Sequence, residues 1–205
     1  MSVIPVLFAE KNGVYFNDAR FDPWCIERNA MNYKGCKPVI AHPPCKRWGR
    51  YWSGGPSSKN KLLKGDDNNM FAHSLWVVRT FGGVIEHPEA SHAWAWFGLK
   101  KPPKKGGWII ADDFGGFTCC VEQGNYGHKA RKATWLYINK ISPTELKWGK
   151  SDATMKMELS PHSKEQARAI RQADNYRPVK RLSAYERLAT PVLFKELLYK
   201  LVRNS

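Results

Sequence analysis

Two consecutive prolines follow the short apolar run Pro38-Val39-Ile40-Ala41 and end it at His42-Pro43-Pro44-Cys45. Proline fixes its own φ, has no N–H to give to a sheet, and pushes the residue before it out of the helical region. A strand over 38–41 must therefore stop near His42 and enter a stiff turn that carries Cys45. A cysteine held this way is aimed, which suits a nucleophile. Lys37, Lys46, Arg47 and Arg50 flank it; nearby cations lower a thiol pKa and attract phosphate. The first reading is a reactive cysteine in a nucleic-acid site. The alternative for any lone cysteine is inert filler, and Cys25, Cys36, Cys119 and Cys120, which lack such a setting, are read as core.

The rest of the chain alternates. Val3–Ala9 reads as a buried strand despite Pro5, and Gly83-Val84-Ile85-Glu86 as a strand that ends in an acid. Trp108–Ala111, Phe117–Val121 and Thr134–Ile138 are further short strands. Between the second and third strands, a helix is expected from about Asn68 to Thr80, with Phe71, Leu75 and Val78 on one face. The glycine-rich polar stretch 47–67 reads as a long mobile basic loop. At the end of the chain, over 183–205, Ser183 and Glu186 form a capping box. Thr190-Pro191 then opens a helix with Leu193, Phe194, Leu197, Leu198 and Leu201 as its apolar stripe. The whole, 1–205, is read as a single α/β domain with its site at the carboxyl ends of the strands.

Charge narrows the partner. The 205 residues hold 33 Lys+Arg against 18 Asp+Glu, a net +15. The excess is clustered: nine cations and no acid lie between Arg28 and Gly65. Four lysines and no acid lie between Lys100 and Gly107, and four cations and no acid between Gln123 and Thr144. A solvated surface mixes the signs; acid-free stretches suit a polyanion. Five cysteines, an odd number, do not suggest a disulfide framework. With no signal-peptide pattern and no apolar stretch long enough to span a bilayer, a reducing cytoplasm and no membrane are expected.

Taken in order, the strand into Leu7-Phe8-Ala9, the Pro43-Pro44-Cys45 turn, Val84-Ile85-Glu86 and Tyr126-Gly127-His128-Lys129-Ala130-Arg131-Lys132 resemble the DNA (cytosine-5) methyltransferase family, closest to short, diverged members of the kind found in phage genomes. The resemblance implies a Rossmann-like, S-adenosylmethionine-dependent methyltransferase-like sheet with flanking helices and a reduced cofactor half. It implies that Cys45 attacks C6 of a flipped cytosine and that Glu86 holds the cytosine N3 and amino edge, with His87-Pro88 where the family has Asn-Val. Asp66-Asp67-Asn68-Asn69-Met70-Phe71 is similar to a family segment entering a helix, and Lys132 keeps a cation of the late basic motif. For the cofactor, S-adenosylmethionine, the resemblance points to Phe8, Glu27 and Pro43; for DNA, to Arg47, Trp48, Arg50, Arg131 and Lys132. The first loop carries one glycine, Gly13, and there is no large target-recognition domain.

The chemistry explains these residue types. Thiolate addition at C6, with an acid hydrogen-bonding N3, turns C5 into an enamine-like nucleophile. Donation at neutral pH needs Glu86 to have a raised pKa, which burial can supply. The target base must be flipped out or already single-stranded, and Trp48, Tyr51 and Trp52 are the side chains to stack on it. The alternatives are a surface salt bridge for Glu86 and a solvated face for Arg131 and Lys132. Trp94, Trp96 and Phe97 are read as core. His42 and His87 either orient Cys45, bond DNA or fill polar positions. Two other readings keep part of the pattern: the same Cys45/Glu86 chemistry with another one-carbon donor or pyrimidine, and a DNA-binding scaffold without chemistry. A zinc site of Cys25, Cys36, His42 and Cys45 has no usual finger or ribbon spacing, and a zinc deaminase lacks the second half of its signature; no metal is expected. Nor is a protein partner, the chain being read as a monomer.

Overall fold

In the computed structural model, which describes residues 3–53, 62–155, 172 and 182–203, the apolar runs become strands of one seven-stranded sheet. They are β1 (Ile4–Leu7), β2 (Phe21–Trp24), β3 (Val39–Ala41), β4 (Gly83–Pro88), β5 (Ile109–Ile110), β6 (Phe117–Glu122) and β7 (Ala133–Asn139). Their order across the sheet is β2-β1-β3-β4-β7-β6-β5. The first four run parallel, β7 runs antiparallel between β4 and β6, and β5 is antiparallel to β6. Pro5 is tolerated in β1 because β3 pairs only with Val6 and Leu7, so that side of Pro5 meets no ladder. β2 escapes the sequence pattern: it is an edge strand, Asp22 and Pro23 break its apolar run, and only Phe21 is buried in it.

Alternation along the strands divides the core in two. Val6, Ile40, Val84, Leu136 and Ile138 face one side; Leu7, Ala41, Ile85, Trp135 and Tyr137 face the other. Helix α1 (Met70–Phe81) covers the second side with Phe71, Leu75, Val77 and Val78, joined there by Ala93 and Trp94 of α2 (His92–Trp96). After α3 (Ala184–Leu188), helix α4 (Val192–Arg203) covers the first side with Phe194, Leu198, Leu201 and Val202. The apolar stripe expected on α4 is thus rotated: Leu193 is exposed, while Lys195 is buried and paired with Asp18 at 2.7 Å. The Ser183–Glu186 capping box is formed, Glu186 N–H donating to Ser183 Oγ at 3.1 Å and Ser183 N–H to Glu186 Oε2 at 3.0 Å. Cys36, read as core, is exposed; Cys25, Cys119 and Cys120 are buried.

One glycine fixes how α1 feeds β4. Gly83 sits at φ 125°, and a Cβ there would overlap the Val39 backbone, so the α1–β4 corner closes on β3 only without a side chain. The chain passes from β1 to β2 on one side and then crosses to β3 on the other. The gap between the carboxyl ends of β1 and β3 is therefore a topological switch point, where open α/β sheets bind ligands. Among the described residues no helix is long and apolar enough to cross a membrane.

Candidate functional site

The Pro-Pro-Cys turn leaves β3 at this switch point. His42 N–H donates to Leu7 O at 3.0 Å, tying the turn to the end of β1. The Cys45 carbonyl accepts from Trp48 N–H at 3.0 Å and Gly49 N–H at 2.8 Å, so 45–49 forms one tight turn. Trp48 pins it down. It is 1% exposed, packs on Phe71 and Phe97, and donates Nε1–H to Asp67 Oδ2 at 2.7 Å. Asp67 Oδ2 also accepts the Phe71 N–H at 2.9 Å. The expectation that Trp48 meets nucleic acid is therefore corrected: its ring is a core group joining the Cys45 turn to the start of α1. The basic loop 47–67 is likewise anchored at both described ends, Gly65 N–H donating to Arg47 O at 3.1 Å; residues 54–61 lie outside the described residues.

A cavity of about 1010 Å³ opens at the carboxyl ends of β1, β3 and β4, and both Cys45 and Glu86 line it. Glu86, on β4, is mostly buried and its two oxygens are separately held. Oε2 pairs with His42 Nδ1 at 3.0 Å, and Oε1 accepts from Gln123 Nε2 at 3.1 Å. Gln123 also donates to Thr134 Oγ1 at 3.0 Å, which fixes its amide. The other nitrogen of His42, Nε2, lies 2.9 Å from the Tyr15 hydroxyl. His42 Nδ1–H donates to an ionised Glu86, and Nε2 and the Tyr15 hydroxyl share the second hydrogen bond. Burial and the Glu86 charge push the Tyr15 pKa well up, so the hydroxyl keeps its proton.

Electrostatics correct two expectations. Burial pushes the Glu86 pKa up, but the hydrogen bond and charge of His42, with Lys132 and His87 adding, outweigh it and leave the carboxyl below its ordinary value. Glu86 is a carboxylate, not the raised-pKa acid expected from burial alone. Conversely, burial and then the Glu86 charge push the Cys45 thiol up, against its own backbone N–H and Lys132. The cation that lowers its pKa is Lys132, just before β7, and the cations flanking Cys45 in sequence do not reverse the upward shift. His87 is fully buried, stacked near Trp94 and edge-on to Phe71. It faces the Pro43 and Pro44 carbonyls without hydrogen-bond geometry. Burial lowers its pKa to about 4, so it is a neutral support beneath the turn.

The remaining expected residues divide. Lys132, Arg131 and Arg50 line the cavity with Cys45 and Glu86. Arg131 Nε lies 3.4 Å from Glu122 Oε2, and Lys132 Nζ donates to the Leu188 carbonyl at 3.4 Å. Arg47 does not line it; its guanidinium reaches back to the Trp52 carbonyl. Phe8, at φ 58°, and Pro43 line it at the switch point. Glu27 does not: it is 61% exposed and paired with Lys11, and the carboxylate that does line this end of the cavity is Glu10. Among the described residues no His, Cys, Asp and Glu gather as a metal site.

Tyr15, Gln123 and Thr134 were not singled out by the sequence. Tyr15 lies in the turn-rich β1–β2 connection and reaches His42, while the pairing of β4, β7 and β6 brings Gln123, just past β6, to Glu86 and to Thr134 of β7. The chain matches no known protein family, curated protein or solved structure.

Proposed function

We propose that this protein modifies a pyrimidine base of DNA at C5, cytosine first, through a covalent Cys45 adduct. The observation that carries the reading is the placing of Cys45 and Glu86 on one cavity, at the carboxyl ends of adjacent parallel strands beside a switch point. A flipped base presents C6 to a thiol and its N3/N4 edge to an acceptor, and these two side chains are that pair. As the Cys45 Sγ–C6 bond forms, the C5=C6 electron pair moves onto C5 and N3 takes up, through solvent, the proton that the thiol released; once C5 has taken the new group, loss of the C5 proton to solvent expels Cys45 and restores the ring. The anionic Glu86 accepts from the 4-amino group and from N3–H as the N3 proton arrives, and so favours protonation at N3 as electron density leaves the C5=C6 bond. Contact with the base also masks the charge that raises the Cys45 pKa, so the thiol ionises more easily once the substrate edge is seated. His42, fixed by Tyr15, holds the carboxylate in place for this, and Lys132 favours the thiolate.

The group added to C5 comes, in this reading, from S-adenosylmethionine. The residues lining the switch point suit it: Glu10 would accept from ribose hydroxyls, Phe8 and Val14 would give apolar walls, and Pro43 would be the wall shared with Cys45. When bound, the cofactor supplies an electrophilic methyl. The methyltransferase-like, Rossmann-type reading of the sheet rests on the same placement, together with the parallel β2-β1-β3-β4 half.

The lowered Glu86 pKa favours a second reading as well. A carboxylate only accepts, so a ring that already carries N3–H, of the uracil or thymine type, also complements it. Nucleoside mass spectrometry of DNA from cells expressing the protein or its Cys45→Ala variant separates the two. A 5-methylcytosine peak present only with Cys45 intact is expected; a Cys45-dependent product of another mass moves the reading to another base or donor. No Cys45-dependent product in a host with S-adenosylmethionine and target DNA overturns it.

A further inference from the structure

Two of the segments that lack acids, 28–65 and 90–111, are remote in sequence and meet in space. His92 N–H donates to the Trp48 carbonyl at 2.8 Å, and the Trp48 ring lies edge-on to Trp96 with centroids 5.8 Å apart. Trp48 is the buried member of this pair; Trp96, read from the sequence as core, is 62% exposed. Lys64 Nζ stands 4.9 Å from the centroid of the Trp52 ring. Gly65 lies against the Trp48 ring and Leu99 N–H donates to the Trp94 carbonyl at 2.8 Å, which brings the neighbouring Lys64 and Lys101 to the region of α2; burial and then the charges of these two lysines keep His92 below its ordinary pKa. His92 and Trp96 are four residues apart on α2 and share a face.

None of Trp52, Lys64, Trp96 and Lys101 lines the cavity that holds Cys45. Yet Arg50 and Tyr51, which do, directly precede Trp52. A basic, aromatic track thus runs from the cavity mouth to Trp96. An exposed indole held rigidly from beneath and edged by lysines is a stacking platform for a base, with cations for the phosphates on either side. A base inside a duplex cannot stack on it, so the platform selects an unpaired strand.

We propose that Trp96, with Trp52, Lys64 and Lys101, is a second nucleic-acid contact that seats an unpaired base of the strand whose neighbouring nucleotide enters the Cys45 cavity. The inference rests on the DNA reading above for its partner, but not on the chemistry. The test is fluorescence anisotropy of a labelled 20-nucleotide single strand and of its duplex, with wild type, Trp96→Ala, Trp96→Phe and Lys101→Ala. Wild type is expected to prefer the single strand. Trp96→Ala should weaken single-strand binding about tenfold and leave duplex binding nearly unchanged, with Trp96→Phe keeping most of the affinity and Lys101→Ala losing a smaller part. Circular dichroism and thermal unfolding of each variant establish that it is folded.

Wild-type affinity in Trp96→Ala overturns the inference and leaves the Cys45 reading standing. Trp96-dependent strand binding without any Cys45-dependent base modification supports the inference and overturns the chemistry. No DNA binding by wild type overturns the inference. Loss of a self-associated species in Trp96→Ala, with DNA affinity unchanged, overturns it in favour of a contact between copies of the chain.

Discussion

At the scale of single residues, the site turns on one charge seen by two groups. Glu86 is kept ionised by His42 and in turn raises the Cys45 thiol pKa. Replacing Glu86 by Gln keeps the shape and one acceptor oxygen, puts an NH2 in place of the other, and removes the charge. Two outcomes in opposite directions follow. Alkylation of Cys45 by iodoacetamide at pH 8, followed by peptide mapping so that exposed Cys36 is counted separately, should become several-fold faster, because the thiol pKa falls when the anion leaves. Base modification should fall by roughly 10²-fold or more, the scale of losing an acid–base group. Slower or equal alkylation would show that Glu86 does not act on Cys45 through its charge. The Pro-Pro-Cys turn and the strand-end acid were legible because both are local: prolines and an apolar run state where the chain turns. The roles of the two tryptophans were not. Trp48 and Trp96 sit in similarly mixed sequence, and their burial is decided by Asp67 and Phe71, some twenty residues from Trp48 and known only through the fold.

At the scale of elements, the sheet was readable wherever burial on both faces makes a continuous apolar run, as in β1, β3, β4 and β7. It was unreadable at edge strand β2 and in the five-residue α2, where too few residues are buried to leave a pattern. Two tests address how these elements are held. Gly83→Ala places a Cβ into the Val39 backbone and adds strain at a positive φ, so stability should fall by about 3 kcal/mol or more. An unchanged urea midpoint would mean that β3 and β4 are not paired in this register. His87, at the other end of β4, supports the Pro43-Pro44 turn. Its folded pKa is about 4 against an ordinary 6.5, so between these values the unfolded chain binds the proton and the folded one does not. Its contribution is complete above pH 6.5 and drains away as pH falls toward 4, by about 3 kcal/mol in all. Urea titrations of wild type and His87→Phe at pH 7.5 and 4.5 should show the wild type losing more stability on acidification. Parallel losses in the two proteins would mean that His87 titrates freely.

Across the whole molecule, the net charge of +15 does not by itself say where a polyanion lies; the fold does. The β3–α1 connection carries Arg50 to the cavity and Lys64 to the region of α2, and the segment leading into β7 carries Arg131 and Lys132 to the cavity. Some of this charge is already spent: Arg131 faces Glu122, and Lys129, on the same connection, is paired with Glu186 at 2.7 Å. About four cations therefore remain to meet phosphate along the track from Lys132 to Lys101. Each phosphate neutralised on a single strand releases counterions worth a slope of about −0.7 in log K against log salt. The wild-type slope should then be near −3 between 50 and 300 mM salt. Lys101→Ala should reduce it by about 0.7, whereas Lys129→Ala, which removes a cation engaged on α3, should leave it unchanged. Equal reductions in both variants would mean that binding follows net charge alone, without a defined track, and that the clustering of acid-free segments has no bearing on where the strand runs. A reduction confined to the track residues would make the path of the strand, from Trp96 to Cys45, a property of the fold.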